Sequence, residues 1–128
     1  MIGASIYTLL SGHAPLVALV GTQMYPVHAT QEKKDPMLVY GIIDQDPQHS
    51  KDRASLEDWI KVGIEIYAKD YDQMHAIAKE VRAALDRANG TIAGNEISMI
   101  TFEGFKDGWE PERESYAGDI TFQVISTP

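Results

Sequence analysis

Between Asp58 and Ala88 the spacing of apolar positions changes once, and the rest of the chain is organised around that change. Ile60, Val62, Ile64 and Ile66 alternate with Lys61, Gly63, Glu65 and Tyr67. A period of two carried by β-branched residues predicts a strand with one buried face. From Lys69-Asp70 the period lengthens. Tyr71, Met74, Ile77, Ala78, Val81, Leu85 and Ala88 recur at helical spacing, opposite Asp72, Gln73, Lys79, Glu80, Arg82 and Asp86. Asp70 and Gln73 have the spacing of a capping box, and Asn89-Gly90 offers a left-handed stop. Strand and helix each have one apolar side, so the helix is expected to lie across a sheet that contains the strand.

The same reading extends to both termini. Ile2, Ile6, Leu9 and Leu10 predict a short first helix, ended by Ser11-Gly12. Pro15 suits the first turn of a second, because its missing amide would have no helical partner there. Leu16, Val17, Leu19 and Val20 are that helix's apolar residues, and Gly21 stops it. Met24 to Val27 is extended, and Pro26 restricts it to an edge strand or an arm. Thr30 to Pro36 reads as a loop. In the strand Met37 to Asp44, Leu38, Tyr40 and Ile42 face one way and Met37, Val39 and Ile43 the other. Apolar residues on both faces predict a central position, or a second face covered by a partner.

Asp46 to Asp58 is polar, mixed in charge and longer than a tight hairpin needs. Loops of that length are usually functional or mobile. Two readings stand: a hairpin end with no fixed role, or an arm that orders on a partner. Thr91 to Asn95 reads as a turn. Glu96 to Phe105 is a strand whose alternation slips between Met99 and Ile100, as at a bulge. A charged turn runs from Asp107-Gly108 to Glu114. The last strand, Tyr116 to Ser126, turns Ile120, Phe122 and Val124 inward and Asp119, Thr121 and Gln123 outward. The order α, α, β, β, β, α, β, β predicts a single α+β domain over residues 1–128. It has a mainly antiparallel β-sheet, one long helix packed on a face, and short N-terminal helices.

Composition narrows the function classes. With 128 residues and 44% hydrophobic content, the chain can bury roughly two-thirds of its unfolded surface. A formal net charge of -8 disfavours direct nucleic-acid recognition, which needs clustered Lys and Arg. With Cys 0, disulfides, thiolate catalysis and zinc-thiolate sites are excluded. The apolar N-terminus has no basic leader, and Ser11 to Pro15 interrupts it, so it reads as a soluble intracellular segment rather than a signal or a membrane span.

Catalytic motifs are not found, and no cofactor is expected. His13, His28, His49 and His75 form no metal-binding spacing; Asp72 and His75 share a helix face, but nothing nominates further ligands. No Gly-x-Ser-x-Gly elbow or phosphate loop occurs. Asn89-Gly90-Thr91 matches a glycosylation acceptor and is read as a helix end. Glu110, Glu112 and Glu114 read as a solvated turn, since paired acid/base carboxylates need a pocket that raises one pKa. Trp59 and Trp109 each stand at the mouth of a charged segment beside a strand. Each either closes the end of the core or anchors a protein interface.

Leu19-Val-Gly-Thr-Gln-Met-Tyr-Pro followed by Asp35-Pro-Met-Leu-Val-Tyr resembles the opening of small tail-completion, or tail-terminator, proteins of long-tailed phages and prophages. The helix from Tyr71 to Leu85 is similar to their single long helix. Trp109-Glu-Pro-Glu-Arg-Glu and Tyr116 to Val124 are similar to their last hairpin. The resemblance covers almost the whole chain; only Asp46 to Glu57 has no counterpart.

The resemblance implies an architectural protein of the virion tail, assembled in the cytoplasm of a bacterial host. Such a protein forms a six-fold ring on the head-proximal end of the tail tube, stops its polymerisation and presents a surface for head joining. Its partners would be further copies of itself, the tail tube protein and the head-tail connector, with weak self-association or a monomer in isolation. Lys33, Lys34, Lys51 and Arg53 on one set of loops, and Glu110, Glu112 and Glu114 on another, are the candidate contact charges, with Trp59 and Trp109 as anchors. A head-side connector, or stopper, is the alternative within structural proteins. A small-molecule-binding α+β module is the alternative outside them, and would need a deep pocket with convergent polar groups.

Overall fold

A computed structural model describes residues 2–29, 34–50 and 53–127, without the side chains of residues 49, 50 and 53–56. The fold is mixed, with three helices and six strands. In chain order these are α1 (Ile2–Ser11), α2 (Ala14–Val20), β1 (Met24–Pro26), β2 (Met37–Ser50), β3 (Arg53–Ala68), α3 (Tyr71–Leu85), β4 (Gly90–Ile92), β5 (Asn95–Glu110) and β6 (Ser115–Thr127). The strands form one sheet in the order β1-β2-β3-β6-β5-β4, curled into a half-barrel. β1 pairs parallel to β2 at one edge; every other pairing is antiparallel.

The central ladder explains the core. Ile60, Val62 and Ile64 of β3 stand opposite Val124, Phe122 and Ile120 of β6. All are buried, in one cluster with Leu38 of β2 and with Met74, Ile77, Val81 and Leu85 of α3. Ile2, Ile6, Leu10, Leu16 and Val20 of α1 and α2 complete it. Ser5 is buried among them, donating to the carbonyl of Ile92 at 2.7 Å and accepting from Asn95 Nδ2 at 2.8 Å. That pair of bonds ties α1 to the β4–β5 hairpin. α1 and α2 meet at 86°, and among the described residues no single helix is long and apolar enough to cross a membrane.

Several expectations need correction. Within Asp46 to Asp58, residues 51 and 52 lie outside the described residues, and the rest is not a loop: β2 and β3 continue as a paired ribbon, with Asp46 opposite Trp59, Gln48 opposite Glu57 and Ser50 opposite Arg53. Backbone pairing holds this arm together, so it leaves no apolar period in the sequence. Thr91 to Asn95 is the end of a hairpin whose first strand, β4, was expected as turn. The charged turn is also shorter than expected. Asp107 to Glu110 belong to β5, and only Pro111 to Glu114 form the turn.

Two further details concern α3. Asp70 sits at its N-cap with extended backbone but makes no side-chain cap bond. The helix ends at Leu85, and the chain turns left-handed first at Arg87 (φ 66) and again at Gly90 (φ 107) of the expected Asn89-Gly90. The reason lies in β5. The amide of Arg87 donates to the carbonyl of Ile100, the amide of Ile100 to Ala88, and the amide of Phe102 to Asp86 Oδ1. The chain leaving the helix is thus drawn out as a strand-like segment along β5.

Candidate assembly surfaces

Register fixes which surfaces the fold exposes and where. In β3, Lys61, Gly63, Glu65 and Tyr67 point away from the helices, as do Asp119, Thr121 and Gln123 of β6. In β5 the expected slip falls one residue earlier than Met99/Ile100, between Ile97 and Met99, and a second lies between Phe102 and Gly104. The second reverses the strand's phase. Phe105, Asp107 and Trp109 therefore fall on the helix side, while Gly104 and Lys106 join the open face.

On the helix side this phase change assembles an aromatic chain. Trp109 packs edge-on against Tyr116 (5.2 Å), Tyr116 against Tyr71 (5.5 Å), Tyr71 against His75 (4.4 Å) and His75 against Phe105 (5.3 Å). Tyr71 donates to Asp107 Oδ2 at 2.6 Å, and His75 Nε2 lies 3.2 Å from the same oxygen. The Tyr71 bond, then the His75 bond, hold the Asp107 carboxyl below its ordinary pKa, and the Tyr71 hydroxyl is pushed up in return. Tyr71 was expected within the buried stripe of the helix but is exposed, leaning on these neighbours.

The open face is a groove of about 650 Å³. Glycines 41, 63 and 104 line it, together with Ile42, Ile43, Glu65, Lys106, Asp119 and Thr121. Ile43, extruded at the β2 bulge, is 60% exposed, and Val27 on the rim is 81% exposed. Glu65 and Asp119 stand directly opposite each other. Burial, then the charge of Glu65, raises the Asp119 pKa, and Lys106 opposes that rise. Tyr67 donates to Glu65 Oε2 at 2.7 Å, and its own pKa is raised by burial first and that bond second. A second, smaller hollow shares Val27, Val39 and Glu65 with the groove and ends at Glu110, Glu112 and Arg113.

The two extremities of the sheet differ. β3 has 16 residues, a span of roughly 50 Å at about 3.3 Å each. Arg53 stands at one end of it, in the arm. Trp59, at the arm's root, is 39% exposed and donates to Glu57 Oε1 at 3.2 Å. At the other end, Ala68 pairs with Tyr116 beside the Pro111–Glu114 turn. Trp109, 54% exposed, stands there with Glu110, Glu112 and Glu114.

Lys34 is placed differently from the expectation. It precedes Asp35, whose buried carboxylate accepts a short bond from Ser115 Oγ and lies 3.8 Å from both Lys69 Nζ and Arg113 Nε. Lys34 therefore belongs to the acidic end and is not grouped with Arg53. Lys33 and Lys51 lie outside the described residues. The groove residues Ile43, Glu65 and Asp119 were not among the sequence candidates. Their signal was there in the doubly apolar Met37–Asp44 segment and the polar alternate face of β3. Among the described residues, no group of three or more His, Asp or Glu comes together as a metal site.

Comparison with known proteins gives two findings. The model of the family described as "Tail completion protein gp17" matches residues 4–127. A chain from a structure titled "Virion of native gene transfer agent (GTA) particle" shares the fold, with a TM-score of 0.82 at 20% identity, over 96% of this chain and 92% of that one. No curated protein matches.

Proposed function

The chain belongs to the tail completion protein gp17 family, and from that premise we propose that it is the terminator ring of a phage-type tail. Family membership makes it a structural tail protein and not an enzyme. In the proposal, copies join head to tail around the tail axis as a ring, six-fold as in the proteins it resembles. The ring caps the head-proximal end of the tail tube, stops its growth and offers its outer surface to the head connector. α3, packed across the sheet, makes each copy a stiff wedge.

One observation supports this reading above the others: the two ends of the sheet are unlike. An arm with Arg53 near its tip occupies one end, and a turn bearing Glu110, Glu112 and Glu114 the other. Unlike ends favour a heterologous contact, which closes into a ring under rotation. Opposed charge would guide the encounter. Each contact can be weak alone, because a ring docking on a matching ring engages every copy together.

The test is elongation of tail tube protein in the presence of the purified chain. The parent chain is expected to halt growth. Lys51→Glu with Arg53→Glu should abolish that effect while leaving thermal unfolding unchanged. Continued growth with the parent chain, or unaltered capping by the doubly reversed chain, would count against the proposal.

A further inference from the structure

The two ends of α3 present unlike surfaces on the helix side of the sheet. At its start, Tyr71, Phe105 and Trp109 are all exposed. With His75 they stand around the carboxylate of Asp107, which the Tyr71 hydroxyl and the His75 ring hold in place. Asp72 brings a second carboxylate close enough to act on the Tyr71 hydroxyl. Lys69, just before the helix, is turned to the neighbouring turn, where its Nζ donates to the carbonyls of Arg113 and Glu114 at 2.6 and 3.2 Å. Exposed rings beside fixed carboxylates suit a guanidinium, which can stack on a ring while it pairs with a charge.

The far end of α3 is cationic. Arg82 is used within its own chain: it stacks over Phe102 at 3.9 Å and lies 3.9 Å from Asp86. Arg87 is exposed, and its guanidinium has no hydrogen-bond or ion-pair partner among the described residues. Its backbone is left-handed (φ 66), a conformation that glycine or asparagine takes more easily. The charge of Arg87 is thus unused inside the chain. It cannot reach the aromatic end of its own copy, since Asp72 to Leu85 alone spans roughly 20 Å at about 1.5 Å per residue. The two ends also follow the polarity of the sheet. Tyr71 packs on Tyr116 at the Pro111–Glu114 end. The Arg87 amide donates to Ile100, which pairs through Val124 with Ile60, next to Trp59 at the root of the arm.

We propose that Arg87 of one copy docks among Tyr71, Asp72, Asp107 and Trp109 of the next, its guanidinium stacked on a ring and paired with a carboxylate. This rests on the ring reading and names a contact that would build the ring. The contact is heterologous: each copy gives one end of α3 and receives the other.

Assembly on tails, measured for variants of these residues, tests it. Arg87→Asn suits the left-handed backbone, so its thermal unfolding should match or exceed that of the parent. Its ring assembly should nevertheless fall about tenfold or more, as for an arginine at the centre of an interface. Arg87→Asp should lose assembly too. Asp72→Arg with Asp107→Asn should lose it alone and regain it when Arg87→Asp is added to the same chain, because both sides of the contact are then reversed. Parent-level assembly of Arg87→Asn would overturn this contact and leave the terminator reading standing. So would a loss that the reversed chain does not repair, which would mean that Arg87 meets another protein of the tail. Tails that carry no ring of the parent chain would overturn the terminator reading, and this contact with it.

Discussion

The two faces of one sheet make different demands on the same strands. On the helix side of β3, Ile60, Val62, Ile64 and Ile66 are all buried under helices. On the other side, Gly63 and Glu65 line an open groove with two facing carboxylates, and Tyr67 lines the smaller hollow beside it. The covered face secures the fold: its residues are apolar, interlocked and satisfied by their own chain. The open face is poor in contacts, rich in glycine and electrostatically unbalanced. On the proposed reading it is the face that meets another molecule. Alternation along a single strand therefore separates stability from assembly, and substitutions on the two faces should have separable effects.

The largest effect belongs to the covered face. Phe122→Ala removes the largest fully buried side chain and should cost about 3–5 kcal/mol, measured by chemical denaturation. Loss of assembly would follow only because the fold is lost. A cost below about 1 kcal/mol would mean that this face does not carry the core.

A smaller effect, of opposite sign, is expected on the open face. The Asp119 pKa is raised by burial and then by Glu65, so the folded protein favours the protonated form. Ionised Asp119 therefore opposes folding above its folded pKa, and protonation relieves this as pH falls through it. Asp119→Asn should be more stable than the parent at neutral pH, by less than about 1 kcal/mol because solvent screens the pair. The difference should fade on acidification through the carboxylate range. A variant less stable than the parent at neutral pH would contradict the sign.

The smallest effect on stability should accompany a clear effect on assembly. Ile43→Ser, at an exposed bulge, should change unfolding by no more than about 0.5 kcal/mol, yet weaken self-association on tails. If it lowers stability as Phe122→Ala does, the contrast between the faces fails.

The same contrast explains which parts were legible in the sequence. The β3 face, the α3 stripe and the inward residues of β6 could be read directly, because burial imposes a period on apolar residues. The arm could not, because the described residues of Asp46 to Asp58 are polar and joined by backbone pairing between β2 and β3. Nor could the positions of Phe105 and Trp109. The second β5 irregularity sets their phase, where Asp86 from the end of α3 takes the Phe102 amide, a contact between residues 16 positions apart. The groove was half visible: the doubly apolar Met37–Asp44 segment implied a second covered face. The meeting of Glu65 with Asp119 required the β3–β6 register.

Tail length in particles made without this protein tests the central claim most directly. If the chain terminates the tube, electron microscopy of a strain lacking the gene should show tubes longer than normal, without heads, and the intact gene supplied in trans should restore one uniform length. Tails of normal length joined to heads in its absence would contradict the account.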